Sequence, residues 1–281
     1  MALFGAKGGP HESESHALET RPFADDAPLS ASRRIVAAIL LQDMQTRFGR
    51  SYFSYVVAVA WPLSHAVFIM GAYLLVNELA PVGDDPAIFA LTGALPYILC
   101  FYPGRTMPII FLQNRQLLNM PVVRPVHIMA SALTIELLTG SIVLILILGG
   151  AVIGGVDIVP HDLTTASVAV FATLFLGVGV GAFNVICTAV VGPFYLVFYI
   201  VSMIGLYITS GVYVPTWMIP ESTRRFVEYN PLFNLVEWMR SAYYASYDPD
   251  LVNKPLVLGT ATVALFLGLL GERFLRNKFY V

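Results

Sequence analysis

Two ionisable residues, Arg105 and Glu136, stand inside long apolar runs. On insertion scales a charge near a bilayer centre costs at least about 2.5–3.5 kcal/mol, so a charge kept there is paired or faces water. Arg105 lies ten residues before Arg115, and Glu136 twelve after Arg124. On antiparallel helices rising about 1.5 Å per residue, their depths differ by about 3 Å. The simpler reading is an ion pair joining two spans; the alternative is that both face a hydrated path. Other reactive side chains carry less. Asp157, His161 and Asp162 cluster without a nucleophile or further ligands and read as a solvated turn. Cys100 and Cys187 lie in apolar runs and read as small buried residues, not a disulfide or metal site. His11 and His16, five apart, are a weak metal pattern. There is no GxxxxGK[ST], HExxH, CxxC or GxSxG, so no metal site, catalytic centre or phosphate loop is assigned. The chain is not read as an enzyme.

The elements that hold these residues are membrane spans. From Asp162 to Glu221 no Asp, Glu, Lys, Arg or His intervenes. A span needs about 20 mostly apolar residues, so this stretch holds two, broken at Gly192-Pro193. The chain is 57% hydrophobic and 12% charged, against about 25% charged in soluble domains. A net charge of −2 gives no indication of nucleic acid. The expected architecture is an all-α integral membrane protein of six transmembrane helices, with an N-terminal interfacial helix and short re-entrant helices before the last span. The spans are expected at 53–76, 86–113, 126–153, 165–190, 193–214 and 256–271. Gly150/Gly154 and Gly177/Gly181 form GxxxG pairs that suit close helix contacts.

Lysines and arginines set the orientation. Eleven lie before the first span, in the loop after the second (Arg115, Arg124) and at the C-terminus; four lie in the segment before the last span. The expectation is therefore that both termini are cytoplasmic. Residues 1–29, rich in Gly, Pro, Ser and acids and without an apolar signal-peptide core, read as a disordered cytoplasmic tail, and 30–281 as the membrane domain. Residues 30–50 read as an interfacial helix, with Ile35, Val36, Ile39 and Leu40 at helical spacing and Gln42, Asp43, Arg47 and Arg50 towards its end. Between spans five and six, Pro220 opens one short helix, and Asn230-Pro231 supplies an N-cap and first-turn proline for another. On the second, Leu232, Leu235, Val236 and Met239 share one face, with Glu237 and Arg240 on the other. Such a hairpin would line the outer end of a pathway.

The order of these pieces resembles a known family. Residues 42–51 (QDMQTRFGRS) before the first span resemble the entry segment of type-2 ABC transporter permeases. Leu95-Pro96-Tyr97, then Asn114-Arg115-Gln116-Leu117-Leu118 and Arg124-Pro125, are similar to the capsular polysaccharide export branch. So are Ser210-Gly211-Val212-Tyr213, Pro220, Tyr229-Asn230-Pro231-Leu232, Glu237 and Arg240-Ser241. The resemblance covers roughly residues 33–278. It implies a homodimer with two copies of a separate cytoplasmic ATPase that binds ATP and Mg, this chain binding no cofactor. It also implies a lipid-linked, often acidic polysaccharide substrate, a bacterial inner-membrane location, and periplasmic and outer-membrane export proteins as further partners. Gln42, Asp43, Arg47, Arg50, Asn114, Arg115 and Arg124 would contact the ATPase. Aromatic side chains would guide the sugar chain, with Trp61, Tyr97, Tyr102, Tyr195, Tyr199, Tyr207, Tyr213 and Trp217 as candidates beside Arg105; the simpler reading for most of these aromatics is an interfacial belt or helix packing. Alternatives are an O-antigen or teichoic-acid exporter permease, a small-molecule efflux permease, or an ion-coupled carrier, the last disfavoured by the lone intramembrane carboxylate.

Overall fold

The computed structural model describes residues 28–48, 52–76, 80–247 and 252–275. The described elements are helical: α1 (Pro28–Phe48), α2 (Tyr52–Val76), α3 (Pro86–Gln113), α4 (Pro125–Ile153), α5 (Leu163–Val191), α6 (Tyr195–Ile208), α7 (Glu221–Val227), α8 (Pro231–Tyr243) and α9 (Lys254–Phe274). Two 3-10 turns, Arg115–Asn119 and Thr216–Met218, join α3 to α4 and precede α7. Four helices, α3, α4, α5 and α9, are long and apolar enough to cross a membrane; Val59–Leu75 and Tyr195–Ile208 are shorter apolar helices. Most of the expected tail lies outside the described residues, and its last two residues, Pro28 and Leu29, belong to α1.

Local chemistry explains the starts. Asp85 accepts from the Ala87 amide at 2.7 Å, with Pro86 opening α3. Asp162 caps α5 by accepting from Thr164 and Thr165, and the Thr165 hydroxyl holds its carboxyl below the usual carboxylate range. Asn230 caps α8 through the Leu232 amide, and Asn253 caps α9. Each side-chain oxygen satisfies an amide that the first turn leaves without a carbonyl. At the end of α5, Gly192 takes φ +99°, which favours glycine, and Pro193 follows.

Helix α5 sits against α3 on one side and α9 on the other. Glycine permits both approaches. A Cβ on Gly177 would stand 2.9 Å from the Leu99 carbonyl oxygen of α3, and one on Gly268 of α9 2.7 Å from the Ala182 carbonyl carbon of α5. The pair Gly177/Gly181 is thus a contact with α3. Gly150 has open space around it, so the second GxxxG pair makes no comparable contact among the described residues. The main apolar cluster joins α2, α3, α5 and α8 through residues such as Ile98, Leu176, Leu235 and Val236.

One expectation is corrected. Helix α6 ends at Ile208, not near 214, because Gly211 turns with φ +70° and its carbonyl and that of Val212 are claimed by Arg240. On α8, Glu237 and Arg240 are both fully buried.

Candidate functional site

Helix α3 carries Pro96, Pro103 and Pro108 in its interior. A proline has no amide hydrogen to give the carbonyl four residues back. Pro108 therefore leaves the Gly104 carbonyl open, and Asn184 of α5 donates to it at 2.8 Å. The hydroxyl of Tyr195 in turn donates to Asn184 at 2.9 Å, and that of Tyr199 donates to the Phe101 carbonyl at 3.0 Å. The shared face of Tyr195 and Tyr199 thus fastens α6 to the proline-rich stretch of α3.

The other aromatic candidates form a file. Tyr213 is roughly parallel to Tyr73 at 6.4 Å and edge-on to Tyr207 at 5.7 Å, and the Tyr207 hydroxyl donates to that of Tyr213. Tyr207 meets Tyr97 at 4.5 Å; Tyr97 stacks on Phe101 at 5.4 Å; Phe101 meets Tyr102 edge-on at 5.3 Å. His65 of α2 lies edge-on to Tyr97, Phe101 and Tyr102, with its Nδ1 3.3 Å from the Tyr102 hydroxyl. Beside this end of the file opens a cavity of about 530 Å³ lined by Trp61, Ser64, His65, Phe68, Phe101, Tyr102, Arg105 and Ile200. Trp61 is exposed and Arg105 half-buried. Among the described residues Arg105 forms no ion pair or hydrogen bond.

Glu136 faces elsewhere. It is buried and lines a small void of about 20 Å³ with Pro62, Tyr102, Thr139 and Gly140. Tyr102 lines both spaces. No direct ion pair between those two forms among the described residues. Trp217 lies apart from the file, 5.5 Å from Tyr247.

The segment before α9 is organised by Arg240. Its Nη1 donates to the Gly211 carbonyl at 2.7 Å and its Nη2 to that of Val212 at 2.8 Å. Its guanidinium lies 3.9 Å from the centre of the Phe89 ring and 3.5 Å from Glu237. Glu237 also accepts from Thr216 and, at 2.8 Å, from Tyr247. Burial and the Glu237 charge push the Tyr247 hydroxyl up to about 12, which keeps it a donor. Asn230 donates to the Leu206 carbonyl at 2.7 Å and to Thr209 Oγ1 at 2.9 Å, tying α8 to the end of α6. Pro220 and Pro231 open α7 and α8 as expected.

At the opposite end of α3, Asp43 is 2% exposed. It accepts from Asn114 at 2.6 Å and from Ser131 at 3.3 Å. Asp43 and Asn114 are therefore interior residues, whereas Gln42 and Arg124 are exposed and Arg115 half-buried. The side chain of Arg47 and the whole of Arg50 lie outside the described residues.

Sequence reasoning missed His65, Phe101 and Tyr73. The signal was there for the first two: His65 follows Trp61 by one helical turn, and Phe101 follows Tyr97 by one. Among the described residues no group of His, Cys, Asp and Glu could hold a metal ion. Tyr73, Tyr97 and Phe101 are buried and pack the file together, whereas Tyr213 is exposed, Tyr102 and Tyr207 are half-buried, and one cation stands at the cavity.

No protein-family model matches the chain. Over 235 residues, 83% of this chain and 90% of the relative, it is 23% identical to a polysialic acid transport protein KpsM of Escherichia coli. A second polysialic acid transport protein KpsM of Escherichia coli is 24% identical over the same shares. The chain is thus a helical membrane protein whose similarity to the ABC transporter permeases of capsular polysaccharide export runs through most of its length.

Proposed function

We infer that this chain is the membrane subunit of an ATP-driven exporter that moves a lipid-linked, capsular-type polysaccharide across a bacterial inner membrane. In this reading the chain crosses the membrane six times, α2 and α6 completing the set, with both termini cytoplasmic. It works as a homodimer with two copies of a separate ATPase, which holds the ATP and Mg, and it hands polymer to periplasmic and outer-membrane partners. The observation that carries the reading is the cavity at the end of the file, where Trp61, Phe68 and Tyr102 offer ring surface beside Arg105. Ring faces stack on the C–H faces of sugars, and each contact is weak and much like the next. A chain gripped in this way slides without falling into one deep site. Arg105 offers a charge to an acidic group as it passes, in keeping with the polysialic acid in the names of the two relatives.

The test is a deletion strain assayed for surface polysaccharide and for lipid-linked polymer inside the cell. Polymer retained inside and missing outside is the expected result. Normal polymer on both sides would overturn the reading and leave small-molecule efflux as the function to examine.

A further inference from the structure

Along α1, the buried residues among the described side chains are Ile39 and Asp43, one turn apart on the face turned to the bundle. Ile39 enters an apolar cluster with Ile110, Phe111, Leu118 and Ile128. Asp43 places a carboxylate in the same seam. Its Oδ1 accepts from Asn114, the residue that ends α3, and its Oδ2 accepts from Ser131 of α4. Asn114 is itself held, since its Nδ2 also donates to the Ile110 carbonyl at 3.0 Å. One carboxylate therefore fastens three helices. Charge-assisted hydrogen bonds of this kind are stronger than neutral ones, and a buried carboxylate parted from its donors is heavily penalised. Apolar surfaces slide past one another at little cost; this point resists sliding.

We propose that Asp43 is a positioning residue that makes α1 and the last turn of α3 move as one, so that load applied to the exposed face of α1 reaches the helix carrying the cavity. The proposal rests on the ATP-driven reading above and adds the route the force takes. From Asn114 back to Arg105 is about 13 Å along α3, and to Tyr97 about 25 Å. Between Asn114 and Arg105 stands Pro108, where the backbone ladder is interrupted. On the far side of that break, Gly104 is held by Asn184 of α5. The turn beyond Pro108 follows α1 while Gly104 stays with α5, and bending concentrates next to Arg105. Arg105 lines the cavity, so its aim changes with the position of α1.

The test uses the full complex of this chain with its ATPase, reconstituted in vesicles, and reads polymer moved per ATP hydrolysed. Asn114→Asp sets a second carboxylate against Asp43; adding Asp43→Asn exchanges donor and acceptor and restores the bond. We expect Asn114→Asp to lower export per ATP about tenfold, the size of an ordinary coupling between two sites, and the exchange to bring it back within about twofold. Assembly with the ATPase stays intact in both. An exchange that leaves export as low as Asn114→Asp alone overturns the proposal. So does release of the ATPase by Asp43→Ala, which would make Asp43 a contact residue. If Asn114→Asp does not accumulate as folded protein, Ser131→Ala removes one donor and is expected to lower the same ratio; an unchanged ratio there counts against the tie. Absence of any ATP-dependent export by the unmodified complex is a separate result, and sinks the functional reading instead.

Discussion

The two ends of α3 are held by buried charges of opposite sign. At the Asp85 end, the guanidinium of Arg240 lies over Phe89. At the Asn114 end, the carboxylate of Asp43 takes the side chains of Asn114 and Ser131. The first node draws most of its partners from one stretch of chain: Gly211, Val212, Thr216, Glu237 and Tyr247 all lie within residues 211–247. The second joins residues 71 and 88 positions apart. A cation whose partners are backbone carbonyls in its own segment fixes a local shape. An anion whose partners are side chains on separate helices registers where those helices stand. One end of α3 is built to stay, and the other is built to follow.

The largest effect should come from emptying the fixed node. Arg240→Met leaves the Glu237 carboxylate buried without its cation and orphans two carbonyls. Breaking a buried pair by removing one partner costs about 3–5 kcal/mol. Thermal unfolding of the purified subunit in detergent should show that loss, and adding Glu237→Leu should recover part of it. A loss under about 1 kcal/mol, the range of an exposed ion pair, would remove the contrast between the two nodes.

The next test lies between the nodes. A Cβ on Gly181 would stand 2.5 Å from the Met107 sulfur and 2.9 Å from the Pro103 carbonyl. Gly181→Leu should therefore force α5 off α3 and cost about 1–3 kcal/mol. Gly150→Leu, in open space, should change the stability of the isolated subunit by no more than about 0.5 kcal/mol. Equal effects would mean that α3 is not gripped along its middle, and bending would then have no reason to concentrate at Pro108.

How much of this was legible in the sequence follows the same contrast. Helices α2, α3, α4, α5 and α9 fall within a few residues of the expected spans, because long, mostly apolar runs are local signals. The start of α8 was legible from Asn230-Pro231, an equally local signal. The end of α6 was not, because it is set by Arg240, about thirty positions away. The file of rings was readable only as a set of candidates. Tyr195 and Tyr97 look alike in sequence, and only the open carbonyl left by Pro108 draws Tyr195 into a structural role through Asn184. Asp43 and Asn114 looked like surface groups because polar residues beside a span usually are.

A smaller effect is expected from Asn230→Ala. Capping residues contribute about 0.5–2 kcal/mol, and this one also holds the Leu206 carbonyl and Thr209. Hydrogen exchange should quicken at the end of α6 and the start of α8 and stay unchanged in α4. Faster exchange throughout would mean that the Arg240 node does not fix its segment independently of Asn230.

The smallest change tests what the fixed node is for. Tyr213 directly follows the two residues whose carbonyls Arg240 holds, and it continues the file through Tyr207. Tyr213→Phe keeps the ring and loses the hydroxyl that accepts from Tyr207. Removing one ordinary hydrogen bond costs about 0.5–1.5 kcal/mol, and less at a half-open position such as this. Export should fall little in Tyr213→Phe and clearly in Tyr213→Ala, where the ring itself is gone. If Tyr213→Ala matches Arg240→Met in export at equal amounts of folded protein, the node serves transport by holding this ring in line. If Tyr213→Ala exports normally, the node serves stability alone, and the working part of the file begins at Tyr207.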